Sequence, residues 1–199
     1  MCDKEAARIA VRSVAAALRG LALLLRAGGT CRTKALALPL LKKQGELSHL
    51  LKHSRELRTT ASVQAAGCSL LRALSTAGID VGTDGVDALV AALNAFGELD
   101  AIVAREACEA VGTLAANRSL LKKTLANNVM LVGGLTRALA AHGTAEREVA
   151  RAACNGLRLI CGESKEAKAA FDKEDGRRLV KEAQAAHGAA LRKETEGLA

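Results

Sequence analysis

The residues best equipped for chemistry in this chain are its cysteines, its histidines and its arginines. Cys2, Cys31, Cys68, Cys108, Cys154 and Cys161 form no Cys-x-x-Cys pair. Without that spacing neither a zinc knuckle nor a dithiol redox motif is available. No secretory leader pattern accompanies them, so a disulfide framework is not expected. Cys2 and Cys31 lack any neighbour that would activate a thiol. His49-Leu-Leu-Lys-His53 sets two imidazoles one helical turn apart, a spacing that can hold zinc. The Glu of H-E-x-x-H is missing and no third ligand follows, so no metal site is assigned. Asp80-Val-Gly-Thr-Asp84-Gly85 resembles the start of a calcium loop. Its third position is Gly82 and its twelfth is Ala91 instead of a bidentate Glu, so these residues are read as a turn and helix cap. Gly28-Gly29 precedes Lys34 without forming G-x-x-x-x-G-K-[ST]. Asn117-Arg-Ser119 is a glycosylation sequon that an intracellular chain would not use. No nucleophile elbow, kinase signature or dinucleotide fingerprint occurs. The sequence therefore assigns no catalytic residue, no metal ligand and no cofactor, and a non-enzymatic role is expected.

The arginines carry a different signal. The net charge of the 199 residues is +8. Residues 1–60 hold 12 Lys/Arg against 4 Asp/Glu, and the remaining 139 residues hold 17 of each. All the excess positive charge lies in the first third, and residues 6–45 contain no acid at all. Arg8, Arg12, Arg19 and Arg26 are spaced by 4, 7 and 7. On a helix they fall within about 40° of one another. Val11, Val14, Leu18, Leu21 and Leu25 fall on the opposite side, and Gly28-Gly29 ends the pattern. This is a basic amphipathic helix. It reads as a capping helix with a solvated Arg face, as a mitochondrial presequence, or as a docking element for an acidic protein, RNA or anionic surface. Asp3 and Glu5 count against the presequence, so a cytoplasmic location is expected, with the mitochondrion as the alternative.

The elements that must position these residues are helices. Ala and Leu dominate, with one Pro, no Trp, no Tyr and two Phe. That composition favours helix and excludes a β-sandwich or barrel. No apolar run approaches the length needed to span a bilayer, so no transmembrane segment is expected. The chain also repeats itself. Segments starting at Val63, Val103 and Val149 align without gaps, 40 and 46 positions apart. Cys68, Cys108 and Cys154 coincide, as do the small residues Gly67, Ala107 and Ala153. Leu71, Val111 and Leu157 coincide as well, followed by Leu74, Leu114 and Ile160. The last two sets are three apart, which is a helical stripe. A second, shorter helix is expected before each stripe, from Val86-Asp-Ala-Leu89 and Val132-Gly-Gly-Leu135. Gly45–Lys52 is the candidate equivalent in the first unit. Short helices are expected at about 119–126, capped by Asn117 or Ser119, and 165–171, capped by Ser164. A truncated fourth unit starts at Asp175 and runs to about His187. His142 and His187 follow their second helices at near-equivalent places, suited to helix C-termini. A two-helix unit at 6–26 and 36–44 is one option for the N-terminal segment, with Pro39 in the first turn of the second helix.

This period, with two or three helices per unit and a long third helix reading V-x-x-x-A-C-x-x-L-x-x-L, resembles the armadillo-repeat (ARM/HEAT-like) superfamily over about residues 45–187. The resemblance implies an all-α, armadillo-like α-solenoid of about three full repeats. A basic N-terminal capping segment and a truncated C-terminal repeat would close its ends. The single domain, 1–199, divides into 1–44 (cap or divergent repeat), repeats at 45–80, 81–117 and 118–163, and a C-terminal cap at 164–199.

Armadillo proteins are generally non-catalytic scaffolds whose third helices line a concave groove. In the family's nuclear-import receptors that groove carries Trp and Asn on each third helix. Here the Trp positions correspond to Ser69, Glu109 and Asn155, and the Asn positions to Ala73, Thr113 and Leu159. None matches, so the import-receptor role is not implied and the general scaffold role is. On the groove side Arg72 and Arg158 stand at equivalent positions with Gly112 between them, able to pair with carboxylates or phosphates. The expected function is a protein–protein interaction scaffold, a subunit or adaptor of a larger intracellular assembly. Its partner-binding residues would be Arg72 and Arg158 in the groove and Arg8, Arg12, Arg19 and Arg26 at the basic end. The partners expected are other proteins, acidic where they meet the N-terminal third. Nucleic-acid or anionic-surface binding by that third is the alternative, although it offers no aromatic residue for base stacking.

Overall fold

The computed structural model describes residues 13–23, 25, 60–117 and 124–198. Those residues are all-α, with no strand among them. Helix α1 covers 13–23. After it come α2 (Ala61–Thr76), α3 (Gly82–Phe96) and α4 (Ala101–Asn117). Residues 124–126 form a short helical turn. Then follow α5 (Val129–His142), α6 (Arg147–Cys161), α7 (Lys165–Lys173), α8 (Gly176–His187) and a 3-10 turn, Gly188–Leu191.

Local chemistry sets the boundaries. Asp100 Oδ1 accepts from the N–H groups of Ile102 and Val103 at 2.9 and 3.0 Å and caps α4. Asn128 Oδ1 caps α5 through Leu131 N–H, and Ser164 Oγ caps α7 through Ala167 N–H, as its position predicts. Asp80 Oδ1 accepts from Gly82 N–H at 3.0 Å, so the acidic hexapeptide is a turn that opens α3. Helix α2 closes with Gly78 N–H on Ser75 O and Ile79 N–H on Leu74 O, and Ile79 tucks under the end.

Helices α2, α4 and α6 lie side by side in one row, and their contacts are the most extensive in the molecule. Helices α3, α5 and α8 pack in series as a second row, with α7 laid against α5 and α6. The core runs between the rows. Val63, Val103 and Val149 are all buried, and so are the three aligned cysteines and every aligned residue of the stripe. Small side chains at these positions let α4 approach both neighbours closely. Ala104, Ala107 and Ala110 have no exposed surface. Polar bonds within each row, from one unit to the next, span lengths between the sequence steps of 40 and 46. Asn117 Nδ2 reaches Ser75 O across 42 residues, and Arg151 reaches Glu109 across 42. Arg137 reaches Asn94 across 43, and His187 reaches Gly143 across 44.

The second helices are shorter than the long helices they precede, as expected, though by little: α3 and α5 have 15 and 14 residues, against 17 and 15 for α4 and α6. Helix α3 gains its length at the N-terminus, where the Asp80 turn starts it earlier than the apolar pattern indicated. The buried stripe of α1 is Ala15, Leu18, Ala22 and Leu25. Val14 is 36% exposed and Leu21 half-buried, because alanines on the inner face permit a closer seat than the bulkier residues beside them. The C-terminal tail folds back with Leu191, Thr195 and Leu198 buried. Gln184 Nε2 donates to Thr195 Oγ1, and Thr195 Oγ1 donates to Leu191 O, so the one buried polar group there is satisfied. Arg8, Arg12, Arg26, Gly28-Gly29, His49, His53, Cys2, Cys31, Ser119, the 36–44 helix and Gly45–Lys52 lie outside the described residues.

Candidate functional site

The row of α2, α4 and α6 presents one polar face, and its charges are linked. Arg72 on α2 donates to Glu106 Oε2 on α4 at 3.1 Å and also pairs with Glu109. Glu109 Oε1 meets Arg151 Nη2 of α6 at 3.5 Å. Arg151 Nε donates to Glu148 Oε2 at 3.1 Å, and Arg147 donates to the same carboxylate. Arg105 closes on Glu106 at 3.1 Å. Signs therefore alternate continuously across three helices, with the acids of α4 held between the arginines of its neighbours. The hydrogen bonds from Arg147 and Arg151 hold the Glu148 carboxyl below its ordinary range. Glu106 and Glu109 are only 13% and 18% exposed at the side chain, so this is a half-buried network.

Sequence reasoning picked Arg72 from this network and missed its partners. Glu109 aligns with the neutral Ser69 and Asn155, and Arg105 aligns with the like-charged Arg151, so no register carries opposite signs and the alignment does not show that Arg72 and Arg151 both reach Glu109. A double-mutant cycle on Arg72→Ala and Glu109→Ala is expected to give a coupling of about 1 kcal/mol, above the usual exposed pair. Urea unfolding at low and high salt measures it, and a coupling near zero at low salt removes the network's role.

No family model, curated protein or solved structure matches this chain. The site is therefore read from its own geometry. Arg158, one helical turn beyond Asn155, differs from Arg72. Its Nη2 donates to Asn155 Oδ1 at 3.1 Å, and among the described residues it closes no ion pair. Asn155 itself lies against α4 at Gly112, where an added Cβ would stand 2.9 Å from Asn155 Nδ2. Gly112 is thus the close approach that seats Asn155 and, through it, Arg158. Beyond Arg158 a cavity of about 410 Å³ opens between the end of α6, α7 and the C-terminal turn. Lys168, Arg177, Asp172 and Glu196 line it, over Phe171 and Leu198. Arg177 is committed: its Nε donates to Asp172 Oδ1 at 2.8 Å and its Nη2 to Oδ2 at 3.4 Å. That bidentate bond holds the Asp172 carboxyl below its usual range and raises Arg177 further.

At the opposite end Arg19 is exposed on α1. It borders a cleft of about 400 Å³ with Leu23, Ala65, Ala66 and Ile102, and Leu23 and Ile102 are 63% and 58% exposed. The two ends do not meet: Arg19 and Arg158 belong to separate cavities. Arg72 lies between them in the ladder.

The described cysteines are packing residues. Cys68, Cys108 and Cys154 are buried, and burial is the first cause that raises each thiol, Cys68 and Cys154 to about 12. Cys161 is half-buried, and burial followed by Asp172 raises it to about 11. Native protein treated with iodoacetamide at pH 8 should leave Cys68, Cys108 and Cys154 unmodified and label Cys161 slowly, with all four labelled in urea. Peptide mass spectrometry reads the result. Rapid native labelling of Cys108 would contradict a closed core. His187 Nε2 lies 2.8 Å from Gly143 O at the end of α5, a helix C-terminus as its position suggested, although that of the neighbouring unit. Among the described residues no group of His, Cys, Asp and Glu is placed to hold a metal ion. Among them, too, no helix is long and apolar enough to cross a membrane.

Proposed function

We propose that this chain is an armadillo-like α-solenoid that works as a non-catalytic protein–protein interaction scaffold, an adaptor or subunit of a larger assembly. Its binding surfaces are the polar face of α2, α4 and α6 and the basic N-terminal helix. The observation that carries the reading is the register of the row: the same aligned residues of α2, α4 and α6 face the core, and polar bonds between units recur at steps of 42 to 44 residues. A stack of such units buries each apolar face only on its neighbours and leaves long external faces for partners. Among the described residues those faces offer no built nucleophile–base pair, and the ladder gives them charges of both signs, which suits specificity among protein partners.

Cross-linking mass spectrometry on the native protein in its source extract, at two salt concentrations, tests this. Reproducible cross-links from Lys165, Lys168 or Lys181 to one set of proteins are expected. Cross-links from Lys4, Lys34, Lys42 or Lys43 that vanish at higher salt would assign a contact to the basic end. Recovery of RNA or DNA alone, with steep salt dependence, would replace the scaffold with nucleic-acid binding.

A further inference from the structure

We infer that the cavity bounded by α6, α7 and the C-terminal turn is a socket for a single carboxylate, held by Arg158 and Lys168. The inference rests on the scaffold reading only for the carboxylate's source, an acidic side chain of a partner; the socket stands without it. The starting point is Arg158. Its guanidinium is half-buried, its one hydrogen bond goes to a neutral amide, and its Nε is shut from solvent with no acceptor. A partly desolvated cation in that state is costly, and an arriving carboxylate offsets the cost. Arg72, at the equivalent place two helices earlier in the row, shares the enclosed Nε but not the missing carboxylate: there Glu106 and Glu109 close on the guanidinium from within the chain. The unit after α6 supplies none to Arg158.

Charge accounting selects the ligand. Arg177 and Asp172 neutralise each other in a bidentate pair. Arg158 and Lys168 remain, opposed by Glu196; among the described residues none of the three closes an ion pair, and Lys168 acts on Asp172 only at longer range. The free balance is +1, which matches one carboxylate and disfavours a dianionic phosphate so close to Asp172 and Glu196. The floor is apolar: Phe171 is 2% and Leu198 5% exposed, while Lys168 and Glu196 at the rim are open to solvent. A volume of about 410 Å³ lies within the range of ligand-sized sites and accommodates a side chain with part of its neighbours.

The test is an NMR titration of the full chain, following the Arg158 side-chain Nε–Hε signal. The probes are acetyl-Leu-Glu-Leu-amide, its Gln counterpart, sodium acetate and inorganic phosphate. The Glu peptide is expected to shift the signal saturably and the Gln peptide not at all. Acetate matching the Glu peptide would keep the socket and assign it to a free small carboxylate. Arg158→Gln, followed through the backbone amides of Lys168 and Leu198 that also serve as a second readout in the unaltered chain, should weaken binding at least about tenfold. Glu196→Gln, an exposed change that leaves the fold alone, should tighten it about twofold to fivefold by removing the opposing charge. Thermal unfolding confirms that both variants are folded. Equal binding of the Glu and Gln peptides, a response to phosphate instead of carboxylate, or no tightening in Glu196→Gln overturns the assignment.

Discussion

Leu114→Ala is expected to remove about 3 kcal/mol of unfolding free energy and to lower the melting temperature by about 10 °C. Leu114 is fully buried near the end of α4, and α4 is the helix that touches α2, α3, α5 and α6. Its side chain belongs to the same aligned position as Leu74 and Ile160, which are also buried. Truncation loses the transfer free energy of the removed atoms and leaves a cavity that stiff neighbours cannot fill. The neighbouring helices are seated on alanines, such as Ala107 and Ala110, that already allow the closest approach. Further collapse is therefore limited, and the loss should fall in the middle of the range for Leu→Ala. Because α4 packs on both α2 and α6, the defect weakens two interfaces in one step. Leu99→Ala is the control: Leu99 is 80% exposed just before α4, so its change should stay within about 0.5 kcal/mol. Urea unfolding followed by circular dichroism gives both values. If Leu114→Ala costs less than about 1 kcal/mol, α4 is not the centre of the core.

That position was legible in the sequence because burial at one register repeats. Val63, Cys68, Leu71 and Leu74 have aligned counterparts in two later segments, and a helix that buries one set buries all. Ser164 was legible for a local reason, since a side-chain cap needs only the next three residues. Arg72 was legible as a charge but not as a partnered one, because Glu106 and Glu109 reach it only across the helix row. The phase of α1 was misjudged by about one residue. Side-chain size pointed to Val14 and Leu21, while close packing preferred Ala15 and Ala22. The socket at Arg158 was half legible. The sequence marked Arg158 itself. It did not show that Lys168, Arg177 and Glu196 gather around it, because that depends on how α7 and the tail fold back.

The fold-back turns on one small residue, and Gly176→Ala is expected to cost about 2 kcal/mol and to impair the socket. Helix α7 ends at Lys173 and α8 starts at Gly176, so the chain reverses within two residues. Asp175 makes the reversal in a left-handed conformation, φ 56° and ψ 27°, which a short polar side chain tolerates better than most. Gly176 then passes directly over the Phe171 ring. A Cβ there would fall 2.1 to 2.6 Å from three ring carbons. Phe171 is among the largest enclosed side chains among the described residues, and the open volume it borders is the cavity itself. Relief must come from moving α8 or the ring, and either shift disturbs the cavity. Arg177 is the next residue, and its bond to Asp172 fixes the wall opposite Arg158. Gly20→Ala provides the contrast of sign. Nothing lies within 4 Å of the Cβ it would add inside α1, so it should stabilise by about 0.5 to 1 kcal/mol through helix propensity. Thermal unfolding of the two variants separates close approach from mere glycine content. Carboxylate titration of Gly176→Ala below its melting point should show weakened binding at Arg158 while the Glu106 and Glu109 pairs to Arg72 persist. Undiminished stability and binding in Gly176→Ala would mean that the ring has another place to go, and that the α7–α8 turn does not hold the socket in shape.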